Sequence, residues 1–520
     1  MRLLHNHNES TCSCFHIYDS SCRNIKYYLI KKREFFSNCC SRTFQLIMQS
    51  YSEGPYVKIL ILLTILGLIL RLYRLGDVSL WTDEAITFYR SQSTLMDLWY
   101  ELSSSRNPPL FFLIERFSLK FGSSEFLLRL APAIIGTITI PITYYFGKEF
   151  FNRDIGIITA CIVTFSTFHI YYSQEARAFS LLLFLTVIAI TFYLKALHTD
   201  FASYWLLFGF FMGMACWAHY YALILLPPLL VWIIISRIGS PIHHSISRPL
   251  VVSGLTFFVV VSPLILFIVT SFKGKIIETV TWGFQGPNLI IETINSFFGV
   301  FNYLGYHSGN YFSVYLFVFI FFLGLFQLLQ FDKNKFLFLI FTITIPFILG
   351  YYFSYWISTA PRYLIILSVF FQIGIAFFFL PFKKYTSTTR FLCIVVVIIM
   401  ILSAPSLNDY YSQNSKWGHD WRDISNEIKN HANPGDSIVI LPNFLNKPFR
   451  YYYNSESYGV TVFEASTIED IERIVTDQNN NNIFFISANR RSEPFTWIDT
   501  RSKLIKEYSN YLFIHQLEQR

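Results

Sequence analysis

Long apolar runs separated by short polar connections fill the chain from residue 57 to residue 405. A helix needs about 20 residues to cross a hydrocarbon core roughly 30 Å thick, and many of these runs approach that length. Their length and periodicity predict about eleven membrane helices. The predicted spans cover residues 57–75, 126–147, 154–172, 178–197, 203–218, 221–236, 250–270, 312–330, 336–356, 363–381 and 391–405.

One further apolar stretch, from Pro109 to Phe121, is interrupted by Glu115, Arg116 and Lys120. As a helix it would cover only about 20 Å, which is too short to cross the membrane. It is therefore predicted to lie on the membrane surface. This choice matters because counting it as a span would invert every later connection.

From about residue 407 the composition changes to that of a soluble α/β domain. A helix is predicted at 423–430, a strand at 437–441 after the turn Pro434-Gly435-Asp436, and a second strand at 483–487. Docking or acceptor contacts, but no catalytic role, are expected for the residues just past the last span, which are Trp417, His419, Asp420, Trp421 and Arg422. The predicted fold is an all-α polytopic membrane protein with a small C-terminal α/β domain. Its predicted parts are residues 1–56, a membrane domain at 57–406 with a loop at 76–125 that carries interfacial helices, and residues 407–520.

Composition supports the membrane class. Of the 520 residues, 53% are hydrophobic and only 14% are charged, against roughly 25% charged in a soluble domain. The net charge of +8 does not indicate a nucleic-acid site, because the basic residues lie mainly between apolar runs. With the N-terminus in the cytoplasm, the inner connections carry most of the Lys and Arg residues. The C-terminal domain is then extracytoplasmic, and the opposite orientation stays as the alternative.

The segment before the first span contains five cysteines. Their spacing lacks the paired two-residue gaps of zinc ribbons. The first 47 residues also lack the apolar core of a signal peptide, so Met48 is an alternative start to Met1.

Two adjacent carboxylates, Asp83 and Glu84, follow the first span at the predicted outer surface. A carboxylate at a partly desolvated interface can act as a general base or hold a divalent cation. An isolated Asp-Glu pair is more often a solvated loop feature. Its neighbourhood therefore decides how it is interpreted.

The predicted topology brings several more polar groups to the same face. Ionisable residues at membrane depth are costly and usually face a cavity or a partner, so several at one level indicate a site. The alternatives are an ion pair for Glu175 and Arg177, an interfacial anchor for Arg129 and simple packing for His219. These groups are Arg106 and Asn107, Arg129, Glu175 and Arg177, His219 and Tyr220, and Arg362 and Tyr363.

Four motifs in this order resemble the GT-C glycosyltransferases that use polyprenyl-phosphate sugars, particularly the branch of the protein O-mannosyltransferases and the aminoarabinose transferase of lipid A. The resemblance extends over most of residues 57–430. In one motif Asn107 stands where the family usually has His. The motifs are Trp81-Thr82-Asp83-Glu84, Asn107-Pro108-Pro109-Leu110-Phe111-Phe112, Ser173-Gln174-Glu175-Ala176-Arg177 and Pro361-Arg362-Tyr363-Leu364.

The resemblance implies a role for each group. Asp83 and Glu84 are expected to be catalytic, while Arg177, Arg362 and Arg129 are expected to bind the donor phosphate. The resemblance establishes no cofactor. It leaves a divalent metal open, and Asn107 would be a poor substitute for a His ligand. The expected substrate-binding residues are Arg106, Asn107, Glu175, His219, Tyr220 and Tyr363, and the candidate metal ligands are Asp83, Glu175 and His219.

The predicted activity is transfer of one sugar from a dolichyl or undecaprenyl monophosphate to a protein, lipid or glycan at the outer face of a prokaryotic plasma membrane. A ligase or polymerase that uses lipid-diphosphate oligosaccharides is the enzyme alternative. A lipid flippase or transporter is the second alternative function. The chain lacks repeated halves and its charges gather on one face, which favours a reaction centre over a transport pathway.

Overall fold

The computed structural model describes residues 54–105, 107–238, 247–271, 283–299, 301–303, 306–308, 311–412, 420–478, 482–488, 492–508 and 512–517. Some of the residues discussed from the sequence lie outside these ranges: Met48, the five cysteines before the first span, Arg106, Trp417 and His419.

Helices form nearly all of the described residues before residue 413. Short 3-10 helices cover Tyr220–Leu225, Pro361–Leu367 and Leu380–Tyr385. Up to residue 150 the helices are α1 (Pro55–Leu72), α2 (Thr82–Gln92), α3 (Leu95–Ser105), α4 (Leu110–Ser118) and α5 (Glu125–Phe150). The next are α6 (Arg153–Phe165), α7 (Thr167–Ser173), α8 (Phe179–Thr199), α9 (Ala202–Ala218), α10 (Leu226–Ile238) and α11 (Ser247–Ser271). Then follow α12 (Pro287–Phe297), the hairpin of β1 (Phe301–Tyr303) and β2 (Tyr306–Ser308), α13 (Tyr311–Phe331), α14 (Lys333–Phe353), α15 (Ser368–Phe379) and α16 (Thr388–Ser412).

The predicted spans all fall on apolar helical segments. Within the described ranges, eight helices are long and apolar enough to cross a membrane, and the bent pair α6 and α7 would make a ninth. The remaining two predicted spans correspond to the shorter apolar helices Ala202–Ala218 and Tyr220–Ser236. The chain is an integral, multi-pass membrane protein.

A bend of 61° separates α6 from α7, where the sequence predicts one continuous span at 154–172. The break is at Ser166, whose side chain accepts a hydrogen bond from the backbone N–H of His169 at 3.5 Å and so begins α7. The bend turns the chain immediately before the Ser173–Arg177 segment. It therefore helps to set the direction in which that segment leaves the helices.

The interfacial stretch predicted at Pro109 to Phe121 contains α4, which has nine residues. At 1.5 Å per residue it is only about 14 Å long, too short to cross a membrane. The later connection between α11 and α13, for which no element is predicted from the sequence, contains α12 and the β1–β2 hairpin.

The C-terminal region contains a five-stranded sheet covered by helices on both faces. Strands β3, β4 and β5 pair in parallel, and β5, β7 and β6 pair antiparallel, in the order β4-β3-β5-β7-β6. A predominantly helical membrane protein with a small C-terminal sheet is the fold class that the sequence predicts, and it is confirmed. The elements are α17 (Trp421–His431), β3 (Ser437–Leu441), a 3-10 turn (Asn443–Leu445), α18 (Asn446–Tyr452), α19 (Ser455–Tyr458), β4 (Thr461–Glu464), α20 (Ile468–Asp477), β5 (Ile483–Ala488), α21 (Glu493–Asp499), β6 (Ser502–Tyr508) and β7 (Leu512–Leu517).

This C-terminal region packs directly on the segment between α1 and α2. The Tyr452 hydroxyl accepts a hydrogen bond from the Leu80 N–H at 2.7 Å and donates to Glu125 at 3.0 Å. Arg422 donates to the same Glu125 carboxylate at 2.6 Å and to the Asp77 carbonyl at 3.0 Å. The loop that leads into α2 is therefore hydrogen-bonded to two residues of the C-terminal region, Tyr452 and Arg422.

Candidate active site

The first turn of α2 carries both acidic residues of the Asp83-Glu84 pair. The helix begins at Thr82, and the Glu84 side chain accepts a hydrogen bond from the Trp81 N–H at 3.3 Å. Acidic side chains in a first turn also interact favourably with the helix dipole. Because neighbouring residues on a helix point about 100° apart, Asp83 and Glu84 face different surroundings.

Glu84 lies in a buried ion pair with Arg129, the fifth residue of α5. Arg129 Nε and Nη2 donate to the two Glu84 carboxylate oxygens at 2.8 and 2.6 Å, and both side chains are at most 1% exposed. Glu84 also accepts from the Ala176 N–H at 3.0 Å. A buried carboxylate with this many partners connects α2, α5 and the segment that follows α7.

The remaining donors of Arg129 go to backbone carbonyls of Leu75, Val78 and Ser79 at 2.7 to 3.1 Å. This placement differs from the expectation that Arg129 binds phosphate and that Glu84 is catalytic. Both groups are sealed from solvent, and every guanidinium nitrogen of Arg129 donates to a protein oxygen. Their contacts fit a positioning role for the first turn of α2.

Asp83 faces two arginines from distant parts of the chain. Its Oδ2 lies 3.7 Å from Arg177 Nη2 and 3.6 Å from Arg362 Nη2, and its side chain is 27% exposed. Charge-assisted hydrogen bonds are shorter, at about 2.7–2.9 Å. The carboxylate is thus shared loosely between two guanidinium groups at an accessible position.

The turn that carries Arg177 is fixed by buried polar contacts. Gln174 Nε2 donates to the carbonyls of Arg71 and Tyr73 at 2.9 and 2.8 Å, and Arg71 Nε donates to Ser173 Oγ at 3.2 Å. A Cβ at Gly136 on α5 would lie 2.0 Å from Ser173 Oγ, so only glycine permits this approach. Arg177 is therefore held on a rigid support.

Aromatic rings surround Arg362. Its guanidinium carbon lies 5.4 Å from the ring centre of Trp81 and 5.6 Å from those of Phe179 and Tyr363. A cation over aromatic faces gains electrostatic stabilisation while remaining charged in a partly desolvated place. The Tyr363 ring in turn packs 4.8 Å from His219, which brings His219 to the edge of the site.

The other predicted substrate-binding residues are placed differently. Glu175 is fully buried and interacts electrostatically with Arg362. Asn107 donates to the Ser105 side chain at 3.0 Å and to the Ser105 carbonyl at 3.3 Å. The buried Tyr220 hydroxyl makes no hydrogen bond within the described residues. Neither Asn107 nor Tyr220 is brought to Asp83 by these contacts.

Two further residues of the site, Thr87 and Arg90, are missing from the sequence-based prediction. Arg177 Nη1 donates to Thr87 Oγ1 at 3.4 Å, and the charges of Arg177 and Asp83 both act on Arg90. Residues 83, 87 and 90 are spaced i, i+4 and i+7, the pattern of one helix face. That spacing is the signal in the sequence that points to them.

The candidate metal ligands do not fit a cation. Within the described ranges, no three side chains of His, Cys, Asp or Glu converge as a ligand group. Asp83 faces two guanidinium groups, which repel a cation. Burial, together with the charges of Arg177 and Arg362, lowers the pKa of His219 to about 3. His219 is thus neutral, but Asp83, Glu175 and His219 do not form a ligand set.

A second buried carboxyl, Glu115 on α4, lies close to Glu84. It is fully buried, and neither of its oxygens has a hydrogen-bond partner among the described residues. Burial, reinforced by the charge of Glu84, raises the pKa of Glu115 from 4.5 to about 8. Glu115 is therefore protonated and neutral in the folded protein at neutral pH.

This carboxyl predicts a pH-dependent stability. Between pH 4.5 and 8 the folded protein retains a proton that the unfolded chain releases, so stability from Glu115 is lost as pH rises through about 8. We expect the melting temperature to fall between pH 5 and pH 9 in the wild type and to fall less in Glu115→Gln. The exposed control Glu469→Gln should follow the wild type, and equal slopes in all three proteins would contradict this.

Known proteins share both sequence features and the fold of this chain. Residues 106–267 match the family model described as dolichyl-phosphate-mannose-protein mannosyltransferase. No curated protein is significantly similar in sequence. The crystal structure of ArnT from Cupriavidus metallidurans bound to undecaprenyl phosphate is 13% identical, with a TM-score of 0.54 over 88% of this chain and 97% of ArnT.

A second solved structure, the oligosaccharyltransferase of Archaeoglobus fulgidus in the apo form, is 12% identical. Its TM-score is 0.53, over 84% of this chain and 70% of that protein. At such identities these likenesses show a shared fold. The residues that match the family, 106–267, include α5 and the Glu175–Arg177 segment. The chain therefore has the fold of ArnT and of the oligosaccharyltransferase, and residues 106–267 resemble the mannosyltransferase family. The GT-C-like membrane fold that the sequence predicts is confirmed.

Proposed function

We propose that this protein is a GT-C glycosyltransferase that transfers one sugar from a polyprenyl monophosphate to a hydroxyl group of an acceptor at the outer face of a prokaryotic membrane. The observation that carries the proposal is the Asp83 carboxylate placed between Arg177 and Arg362 at 3.6 to 3.7 Å. In this arrangement the Asp83 carboxylate can accept a proton, and the two guanidinium groups can bind an anion.

The two guanidinium groups suit the phosphate of a lipid-linked donor. Arg binds phosphate through planar, bidentate hydrogen bonds and stays charged. A phosphate oxygen at hydrogen-bond distance would replace the looser contacts to Asp83. The ArnT structure contains bound undecaprenyl phosphate, which supports a donor of this class for a chain with the same fold.

Donor binding would then release Asp83 for catalysis. The acceptor hydroxyl transfers its proton to Asp83 while its oxygen forms a bond to the anomeric carbon. The bond from that carbon to the phosphate oxygen breaks, and the polyprenyl phosphate leaves with the bonding electrons. Arg177 and Arg362 stabilise the charge that develops on this phosphate. Direct displacement of this kind inverts the anomeric configuration.

Glu84 and Arg129 support this chemistry from outside the reacting groups. Their buried pair fixes the first turn of α2 against α5 and the Ala176 backbone. Asp83 is the preceding residue, so its position relative to Arg177 follows from this support. We therefore assign Glu84 and Arg129 as positioning residues.

A monophosphate donor is favoured over a diphosphate by the number of available cations. The third arginine of the site, Arg90, forms an ion pair with Glu101 at 3.4 Å. Two arginines thus face Asp83 directly, which suits a single phosphate group. A ligase or polymerase would have to bind the additional charge of a lipid diphosphate.

Donor preference is tested with purified protein in lipid nanodiscs. Polyprenyl monophosphate sugars and the matching diphosphates are supplied as radiolabelled donors, each with the same mixture of membrane-derived acceptors. We expect label to move to an acceptor only from the monophosphate. Transfer from diphosphates alone would favour the ligase. No transfer in nanodiscs, together with movement of labelled lipid across the bilayer of sealed proteoliposomes, would favour the flippase.

A further inference from the structure

An open groove of about 700 Å³ lies where the C-terminal region meets α2. One wall is formed by Tyr89 of α2 and by Ser123 and Ser124 before α5. The other is formed by Arg450, Tyr451 and residues 453–456 of the C-terminal region. Sites that bind small polar ligands commonly have volumes of about 300–1,000 Å³.

The groove combines aromatic rings with exposed polar groups. Tyr89 and Tyr451 are partly exposed, while Arg450, Asn454 and Glu456 are exposed. Arg450 and Glu456 carry opposite charges, so the lining is close to neutral. It offers guanidinium and amide donors beside carboxylate and amide acceptors.

Tyr453 forms part of the packed wall of the groove. It lines the groove and is 1% exposed, and its hydroxyl has no hydrogen-bond partner within the described residues. This hydroxyl is closed to solvent, and the Tyr453 ring packs on Phe449 and Tyr458 with ring centres 4.8 and 5.1 Å apart. Tyr453 therefore stiffens the wall of the groove, and the polar groups open to a ligand are those of Arg450, Asn454 and Glu456.

We propose that this groove, named the acceptor groove, binds a neutral, hydroxyl-rich saccharide that forms part of the acceptor. The proposal rests on the proposed glycosyltransferase function. A sugar ring presents an apolar C–H face to aromatic side chains and a rim of hydroxyls to planar polar groups, and Tyr89, Arg450 and Asn454 offer both kinds of contact. A lipid tail would need an apolar lining, and an anionic glycan would need an excess of cations.

Position connects the acceptor groove to the reaction centre. Tyr89 follows Asp83 by six residues on α2, a rise of about 9 Å at 1.5 Å per residue. Six residues also correspond to about 240° of rotation around the helix, so the groove and Asp83 lie on different sides of α2. The groove would therefore hold a sugar unit remote from the reacting hydroxyl. The part of the acceptor held there would set which hydroxyl reaches Asp83.

The two walls are fixed relative to one another. The Tyr451 hydroxyl donates to the Ser123 carbonyl, and the Phe88 and Tyr451 rings pack edge to face at 4.9 Å. Tyr452, the next residue, is hydrogen-bonded to Leu80 and Glu125. Binding would therefore need little rearrangement of the groove, which limits its entropic cost.

Binding is tested on the full chain in lipid nanodiscs without any donor. Maltotriose, mannotriose and chitotriose serve as neutral probes, and saturation-transfer NMR and titration give the Kd. We expect at least one trisaccharide to bind, with the double variant Arg450→Gln/Glu456→Gln weakening it by about tenfold. Tyr453→Phe removes a hydroxyl that is closed to solvent, so this variant should bind as the wild type does. The exposed control Lys503→Gln should bind as the wild type does.

Two results would overturn the proposal. One is the absence of binding by all three trisaccharides, or binding that the double variant leaves unchanged. The other is groove-dependent binding of a Ser/Thr-rich peptide in their place. Because these measurements need no catalysis, a wild-type protein that binds trisaccharide but transfers no sugar would contradict the proposed function and leave the groove assignment standing.

Discussion

Replacing Asp83 by Asn is expected to lower the rate constant for sugar transfer by about 10²- to 10⁴-fold, the usual contribution of a general base. Asn keeps the size of the side chain but cannot accept the hydroxyl proton, and it removes the negative charge between Arg177 and Arg362. The rate is measured as single-turnover transfer from a radiolabelled polyprenyl monophosphate. Binding of unlabelled polyprenyl phosphate, measured in parallel, should be retained or strengthened, because the arginines lose a competing anion.

The matched control for this variant is Asp97→Asn on α3. Asp97 is exposed and accepts a hydrogen bond from the Thr94 hydroxyl at 2.6 Å, away from the arginines. The Asp97→Asn variant should leave the rate constant for sugar transfer unchanged. Wild-type transfer by Asp83→Asn, in a protein with an unchanged melting temperature, would contradict the assignment of Asp83 as the base.

Replacing Arg129 by Gln is expected to destabilise the protein by about 3–5 kcal/mol, because the buried Glu84 carboxylate loses its counter-ion. Thermal unfolding in detergent, followed by fluorescence, measures the loss as a lower melting temperature. The exposed pair of Arg473 and Asp470 offers a control, since Arg473→Gln should cost at most about 1 kcal/mol.

A double-mutant cycle measures the interaction energy between Glu84 and Arg129. Glu84→Gln together with Arg129→Gln removes both charges, so the double variant should be less destabilised than the sum of the two single changes. The double variant should still transfer sugar poorly, since the first turn of α2 is no longer fixed. Additive losses of stability would show that the two side chains act independently.

Local signals in the sequence account for much of the fold. The strand predicted at 437–441 coincides with β3, because a turn with Pro434 and Gly435 precedes a short run of β-branched residues. The helix predicted at 423–430 extends by only one or two residues at either end in α17. Boundaries of this kind depend on neighbouring residues alone. The outer limits proposed for the soluble domain stay predictions.

Features that depend on distant contacts are not visible in the sequence. Glu84 and Arg129 are 45 residues apart, and only folding shows that the apparent anchor and the apparent catalytic acid form one buried pair. Tyr452 reaches Leu80 across 372 residues. The bend at Ser166 is equally hidden, because Phe165-Ser166-Thr167 lies inside a run that is apolar enough for a continuous span.

The groups around Asp83 are partly visible in local sequence motifs and partly dependent on distant contacts. The motifs indicate Asp83, Arg177 and Arg362, and the structure brings these three together. Asn107 comes from an equally recognisable motif, yet its side chain contacts Ser105. A motif identifies residues that belong to a family pattern, whereas the contacts made by each side chain depend on the packing of the whole site.

The most direct test is the fate of the label in a radiolabelled polyprenyl monophosphate sugar incubated with purified protein and membrane-derived acceptors. The predicted result is that wild-type protein moves the sugar out of the lipid fraction into an acceptor, that Asp83→Asn leaves it on the lipid, and that Arg362→Ala needs a much higher donor concentration for the same rate. Label that stays on the lipid with wild-type protein, or that leaves it equally fast with Asp83→Asn, would contradict the assignment of this site as the centre of sugar transfer.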